Sequence, residues 1–208
     1  YKKLEFFNGN YIRQLSAEEL YKWTLPFITG TGDATLEINP ENPQPKPNVG
    51  PEFSGVALGE DGRPYCVDKS MNMSTEDVEK TLLGLMPLIQ ERLKFLSEAA
   101  EMVKFMFTEP AVPPADQIIP KKIDLAKTKE VLEEAKDYVA KIFDLDHEGA
   151  ENLAKEKAEK LGIKLGDFMM PVRMAVTGSK VSPPLIGSIL VLGKEKSLAR
   201  IERTLATL

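Results

Sequence analysis

"STEDVEKTLLGLMPLIQERLKFLSEAAEMVKFMF", residues 74 to 107, decides the fold class. Its apolar residues Val78, Leu82, Leu85, Ile89, Leu93, Leu96, Ala100, Val103 and Phe107 recur every three or four positions, the period of a helix with one buried face. Ser74, followed three residues later by Asp77, resembles a helix cap. Gly84 and Pro87 interrupt the pattern, so a break is expected there, with Pro87 in the first turn of a second helix.

Helical signals continue on both sides. Upstream, Ser16 and Glu19 make a capping-box pattern, and Leu20, Trp23 and Phe27 follow on one face. Asn8-Gly9 reads as a turn, while Phe6, Phe7 and Trp23 read as core. Downstream, Asp124 can cap a helix that buries Leu125, Leu132, Ala135, Val139 and Ile142. Asp146 can cap another, carrying Leu153, Ala158 and Leu161 and ending at Gly162. Asp167 is then expected to cap a helix with Pro171 within or just past its first turn and Gly178 at its end. Ser182 is expected to cap the next helix, with Pro183 and Pro184 at its first positions and Gly193 at its end. A closing helix sets Leu198, Ile201, Leu205 and Leu208 on one face, and Arg200 and Arg203 elsewhere.

Residues 29 to 73 differ in kind: they are dense in Gly, Pro, Asn and Asp, with a short hairpin expected at Glu60-Asp61-Gly62. The fold expected is mainly α: two consecutive helical-bundle subdomains with a long irregular Pro/Gly-rich insertion near the N-terminus. The parts are 1–73, a connecting segment with the insertion at about 30–73; 74–110; and 111–208. The proline-rich stretch 109–122 is the boundary or hinge.

Composition narrows the chemistry. The 208 residues include one Cys, Cys66, too few for an intrachain disulfide or a multi-cysteine metal site, and one His, His147, with which most transition-metal sites and His-based triads are hard to build. Hydrophobic content of 42% with 28% charged residues suits a soluble globular protein, and no apolar run is long enough for a membrane span. A net charge of −5 argues against indiscriminate phosphate binding. Any nucleic acid would have to be met by a local arrangement of Arg and Lys. A cytoplasmic setting is expected.

One such arrangement is "PVRMAVTGSKVSPPLIGSIL", residues 171 to 190. Arg173 stands one helical turn before the Thr177-Gly178 turn, near the start of the next helix. Its planar fork of donors, the Ser182 hydroxyl, and an apolar wall from Pro183 and Leu185 suit a splayed base. Spacing alone favours a plainer role, an Arg paired with a carboxylate or lying over the core.

Three stretches change that balance: "LEFFNGNYIRQLSAEEL", "PLIQERLKFLSEAAEMVKFMF" and "PVRMAVTGSKVSPPLIGSILVLGKEKSLARIERTL". Together they resemble the C-terminal, anticodon-binding part of the bacterial-type glutamyl-tRNA synthetases. The resemblance implies recognition of the tRNA-Glu anticodon stem-loop, with Arg173 hydrogen-bonding an anticodon base and Ser182, Pro183 and Leu185 surrounding the anticodon nucleotides. Arg92, in "QERLK", matches a second recognition arginine. Ser182 stands where the family often has Thr, which keeps the hydroxyl.

The catalytic motifs of that class are missing, so no catalytic residue, metal or cofactor is expected in this chain. ATP and magnesium are implied only for the intact ligase. "DKSMNMS", residues 68 to 74, faintly echoes one motif, at the wrong place in the order. A monomer is expected. The rival reading is a helical protein–protein docking module without RNA contacts, which suits the acidic charge.

Overall fold

The structure, a computed structural model, describes residues 2–31 and 54–208. The expectations made for 32–53, most of the irregular insertion, lie outside the described residues. The chain divides into two compact units, residues 1–109 and 110–208.

In the first unit, α1 (Lys2–Ile12) and α2 (Ala17–Thr29) precede an antiparallel hairpin of β1 (Val56–Leu58) and β2 (Pro64–Cys66), paired Val56 to Cys66. Then come α3 (Thr75–Gln90) and α4 (Ala99–Phe107). The capping box expected at Ser16 and the cap expected at Ser74 both form: the Glu19 amide donates to Ser16 Oγ at 3.2 Å, and the Asp77 amide donates to Ser74 Oγ at 3.1 Å. α2 lies on α3 and α4, so Leu20 and Ile28 share a core with Val78, Leu82, Ile89 and Phe107. Residues before and after position 73 therefore build one hydrophobic core.

Two expected breaks do not occur. α3 runs through Gly84 and Pro87, and the chain leaves helix only after Gln90. A proline inside a helix costs about 3 kcal/mol or more. Full burial of Leu85, Met86 and Ile89 around it, at roughly 1.5–3 kcal/mol each, outweighs that loss. Likewise α1 continues through Asn8-Gly9; Gly9 is buried, and the Arg13 guanidinium covers it. Phe6 and Phe7 are exposed rather than core, and Trp23 is only partly covered. The hairpin turn at 59–63 is present, with Gly62 at φ +76°.

The second unit contains the short α5 (Ala115–Ile118), then α6 (Leu125–Lys141), α7 (His147–Lys160), α8 (Leu165–Thr177), α9 (Leu185–Leu192) and α10 (Lys194–Thr207). The middle of the bundle is where α6, α8 and α10 meet; α7 packs on α8, and α9 on α10. Asp124 and Asp146 cap α6 and α7 as expected, each accepting the backbone N–H three residues on. Leu125, expected inside, is exposed in the first turn of α6. Asp167 is not a cap: α8 starts earlier, at Leu165, which puts Asp167 in its first turn and Pro171 mid-helix. The burial of Phe168, Val172 and Val176 holds that longer helix together. Among the described residues no helix is long and apolar enough to cross a membrane, and no cluster of His, Cys, Asp or Glu could hold a metal ion.

A charged knot ties α7 to α6. The buried Lys157 ammonium donates to Glu134 at 2.7 Å and also to Asp137, while Lys160 bonds Glu134 and Lys141 bonds Asp137. Hydrogen bonds from Lys141, then Lys157, hold Asp137 down at about 2, and those from Lys157 and Lys160 lower Glu134. Burial pushes Lys157 down, but its bonds to Asp137 and Glu134 prevail and raise it. A depressed carboxylate stabilises the fold above its unfolded value and loses that contribution as pH falls through the folded one. Thermal unfolding followed by circular dichroism should therefore show a midpoint that falls as pH drops from about 4 towards 2. Asp137→Asn should flatten part of that fall.

Candidate nucleic-acid interface

The turn between α8 and α9 is built by hydrogen bonds from side chains onto backbone. Gly178, at φ +69°, ends α8, and its N–H donates to Met174 O at 3.0 Å. Thr177 Oγ1 donates to Arg173 O at 2.9 Å. Ser179 Oγ donates to Val181 O at 3.0 Å and accepts the Val181 N–H at 3.2 Å. A β-carbon on Gly178 would lie 2.7 Å from Pro110 Cβ, so that close approach, as well as the left-handed φ, requires glycine.

Arg173 clasps the far side of this turn. Its Nη1 donates to Ser182 Oγ and, at 2.8 Å, to Pro183 O. Ser182 is thus not the N-cap of α9: the helix starts at Leu185, Pro184 precedes it, and the Ser182 oxygen is committed to the guanidinium. An Arg offers a charge-assisted donor where a helix amide would offer a neutral one, so the arginine wins the oxygen. Ser182, Pro183 and Leu185 are all buried. Lys180 is exposed, and Val181 stands 63% exposed at the tip of the turn. Arg173 itself is half-buried, its Nη1 shared between a hydroxyl and a carbonyl.

Arg173, Ser182 and Pro183 are therefore brought together by direct bonds, and Leu185 follows as the first residue of α9. Arg92 belongs to the other unit. It is exposed just past the end of α3, with its backbone N–H donating to Ile89 O at 2.8 Å.

One structural residue behind the turn is not legible from hydropathy. Arg200 of α10 is only 2% exposed, and its Nη1 donates to Val176 O at 2.7 Å. That carbonyl is among the last four of α8, which have no helical partner of their own. Arg203 similarly donates to Pro110 O at 2.6 Å. The buried face of α10 is Ser197, Arg200, Ile201 and Thr204; of the expected Leu198/Ile201/Leu205/Leu208 stripe only Ile201 is buried, and the three leucines are half-buried. Two small hydroxyl residues flanking Arg200 at helical spacing were the signal in the sequence: they leave room for a long side chain to lie inward.

These features describe a helical domain with an arginine-clasped, serine- and proline-lined turn. Residues 58–205 match the family described as "Anticodon binding domain", and the chain belongs to that family. The relatives it resembles narrow this further. It is 45% identical over 206 residues to the glutamate–tRNA ligase of Treponema denticola, covering 99% of this chain and 37% of that ligase. It is 33% identical over 207 residues to the glutamate–tRNA ligase of Roseiflexus castenholzii, covering 100% of this chain and 34% of that protein. A crystal structure of a glutamate tRNA ligase from Elizabethkingia meningosepticum, in complex with its amino acid, superposes with a TM-score of 0.61 at 19% identity, over 98% of this chain and 32% of that one. That last likeness shows the shared fold. The chain spans little more than a third of the curated relatives it matches, in their C-terminal part. A docking module without RNA contacts is not favoured by these matches.

Proposed function

We propose that the chain reads the anticodon loop of tRNA-Glu as the C-terminal region of a glutamate–tRNA ligase. The intact ligase would attach glutamate using ATP and magnesium in the cytoplasm and act as a monomer. The observation that carries the reading is the Arg173 clasp, within a family that binds anticodons. The α8–α9 turn is already shaped before RNA arrives, so binding need not supply its ordering entropy. Val181 and Lys180, exposed at its tip, offer apolar surface and a cation to an unstacked nucleotide. The connecting role of 1–73 and the recognition roles of 74–110, with Arg92, and of 111–208 belong to this proposal.

The test is a titration of the 208-residue chain with the tRNA-Glu anticodon stem-loop and with one of altered anticodon, at one fixed salt concentration. Arg173→Ala should weaken binding to the first about 5- to 150-fold, the equivalent of roughly 1–3 kcal/mol, and erase the preference over the second. Arg173→Lys should fail to rescue, because an ammonium keeps the charge without the planar guanidinium that pairs with a base edge. Equal affinity for both loops would sink the reading.

A further inference from the structure

The stretch between α4 and α5 lies outside helix and strand, and three of its residues, Pro110, Pro113 and Pro114, have no N–H with which to bind a neighbour. It is gripped from outside, at Pro110. Arg203 Nη2, on α10, donates to Pro110 O at 2.6 Å. The ring of the same proline lies on Gly178, the left-handed stop of α8: its Cβ and Cγ are 2.7 and 3.7 Å from where a Gly178 β-carbon would stand. Pro110 is therefore held between α10 and the α8–α9 turn. One turn earlier on α10, Arg200 holds Val176 O, two residues before Gly178. Two guanidiniums of one helix thus bracket the point where the turn begins.

We infer that Arg203 is a positioning residue for the α8–α9 turn, acting through Pro110 and not by touching RNA. Gly178 fixes the direction in which the chain leaves α8, and the next four residues inherit it. Ser179 bonds both backbone groups of Val181, and Ser182 meets the Arg173 guanidinium. A left-handed glycine brings no side chain of its own to hold that exit angle. The Pro110 ring, with its fixed φ, supplies the missing contact. The charge-assisted bond from Arg203 keeps the ring in place. The effect on RNA affinity rests on the reading of this turn as an anticodon site; the effect on the turn itself does not.

The test uses Arg203→Met, which keeps the stem and removes the donors, and Pro110→Gly, which keeps the carbonyl and removes the ring. Amide hydrogen exchange is followed in the free 208-residue chain at Gly178, whose N–H donates to Met174 O, and at Val181, whose N–H donates to Ser179 Oγ. In both variants these two amides should speed up at least about tenfold more than amides in the middle of α6. The double variant should add little to the larger single effect, because both changes act through one contact. Both single variants should bind the tRNA-Glu anticodon stem-loop roughly tenfold more weakly, with an unchanged slope of log affinity against log salt. Equal acceleration at the turn and in α6 would overturn the inference, because it would make Arg203 a residue of overall stability alone. So would a salt slope reduced by about one in Arg203→Met but not in Pro110→Gly, which would assign the guanidinium to a phosphate. If the unaltered chain binds both anticodon loops equally, the RNA reading fails, and the exchange comparison still decides whether Arg203 positions the turn.

Discussion

Replacing Arg200 by alanine is expected to destabilise the second unit by about 3–5 kcal/mol, the range for removing one member of a buried polar partnership together with its volume. Two effects add. Val176 O, now reached by Arg200 Nη1 at 2.7 Å, would be stranded at a buried helix end, which costs roughly 1–3 kcal/mol. The aliphatic stem would also leave a cavity between α10 and α8, in a side chain that is otherwise almost wholly enclosed. Arg200→Met separates the two, because it keeps most of the stem and removes only the donor. Its loss should be about 1–3 kcal/mol. Denaturant unfolding followed by circular dichroism gives both numbers. A loss below about 1 kcal/mol for Arg200→Ala would mean that the helix end finds water or another donor.

Gly55→Ala should be the most damaging small substitution in the first unit. Gly55 sits at φ +79° where the hairpin strand crosses the end of α4, and its carbonyl accepts the Val67 N–H at 2.9 Å. A β-carbon there would fall 2.6 Å from Phe107 O and 2.9 Å from Phe107 C, both backbone atoms that cannot swing aside. The left-handed backbone contributes about 1–2 kcal/mol and the forced separation about 1–3 more. Gly62 supplies the control: its φ is +76°, yet nothing lies within 4 Å of an added β-carbon. Gly62→Ala should therefore lose only the backbone share, about 1–2 kcal/mol. Unfolding midpoints of the two variants in the same denaturant series make the comparison. Equal losses would show that the close approach to Phe107 relaxes at no cost.

The arginine at the α8–α9 turn was legible in the sequence, while the way it is held was not. An isolated Arg in an apolar helix just before Thr-Gly is conspicuous in one dimension. Ser182 before two prolines looks equally like a cap, and only folding shows that a charged donor nine residues upstream takes its oxygen. Arg92 was reached by resemblance alone, and its side chain stays in solvent at the end of α3.

Determined by the sequence alone were the features closed within three or four residues: the boxes at Ser16 and Ser74, the caps at Asp124 and Asp146, the left-handed stops at Gly162 and Gly178, and the turn at Gly62. Each is a hydrogen bond or a backbone angle whose partners lie side by side in the chain. Tertiary structure decided whatever depended on distant neighbours. Burial of Leu85, Met86 and Ile89 carries α3 across Pro87, and packing on the end of α3 carries α1 across Asn8-Gly9. The same packing left Phe6 and Phe7 outside and drew Arg200 inside, because side-chain burial depends on which helix arrives opposite, and hydropathy along a single chain does not contain that information.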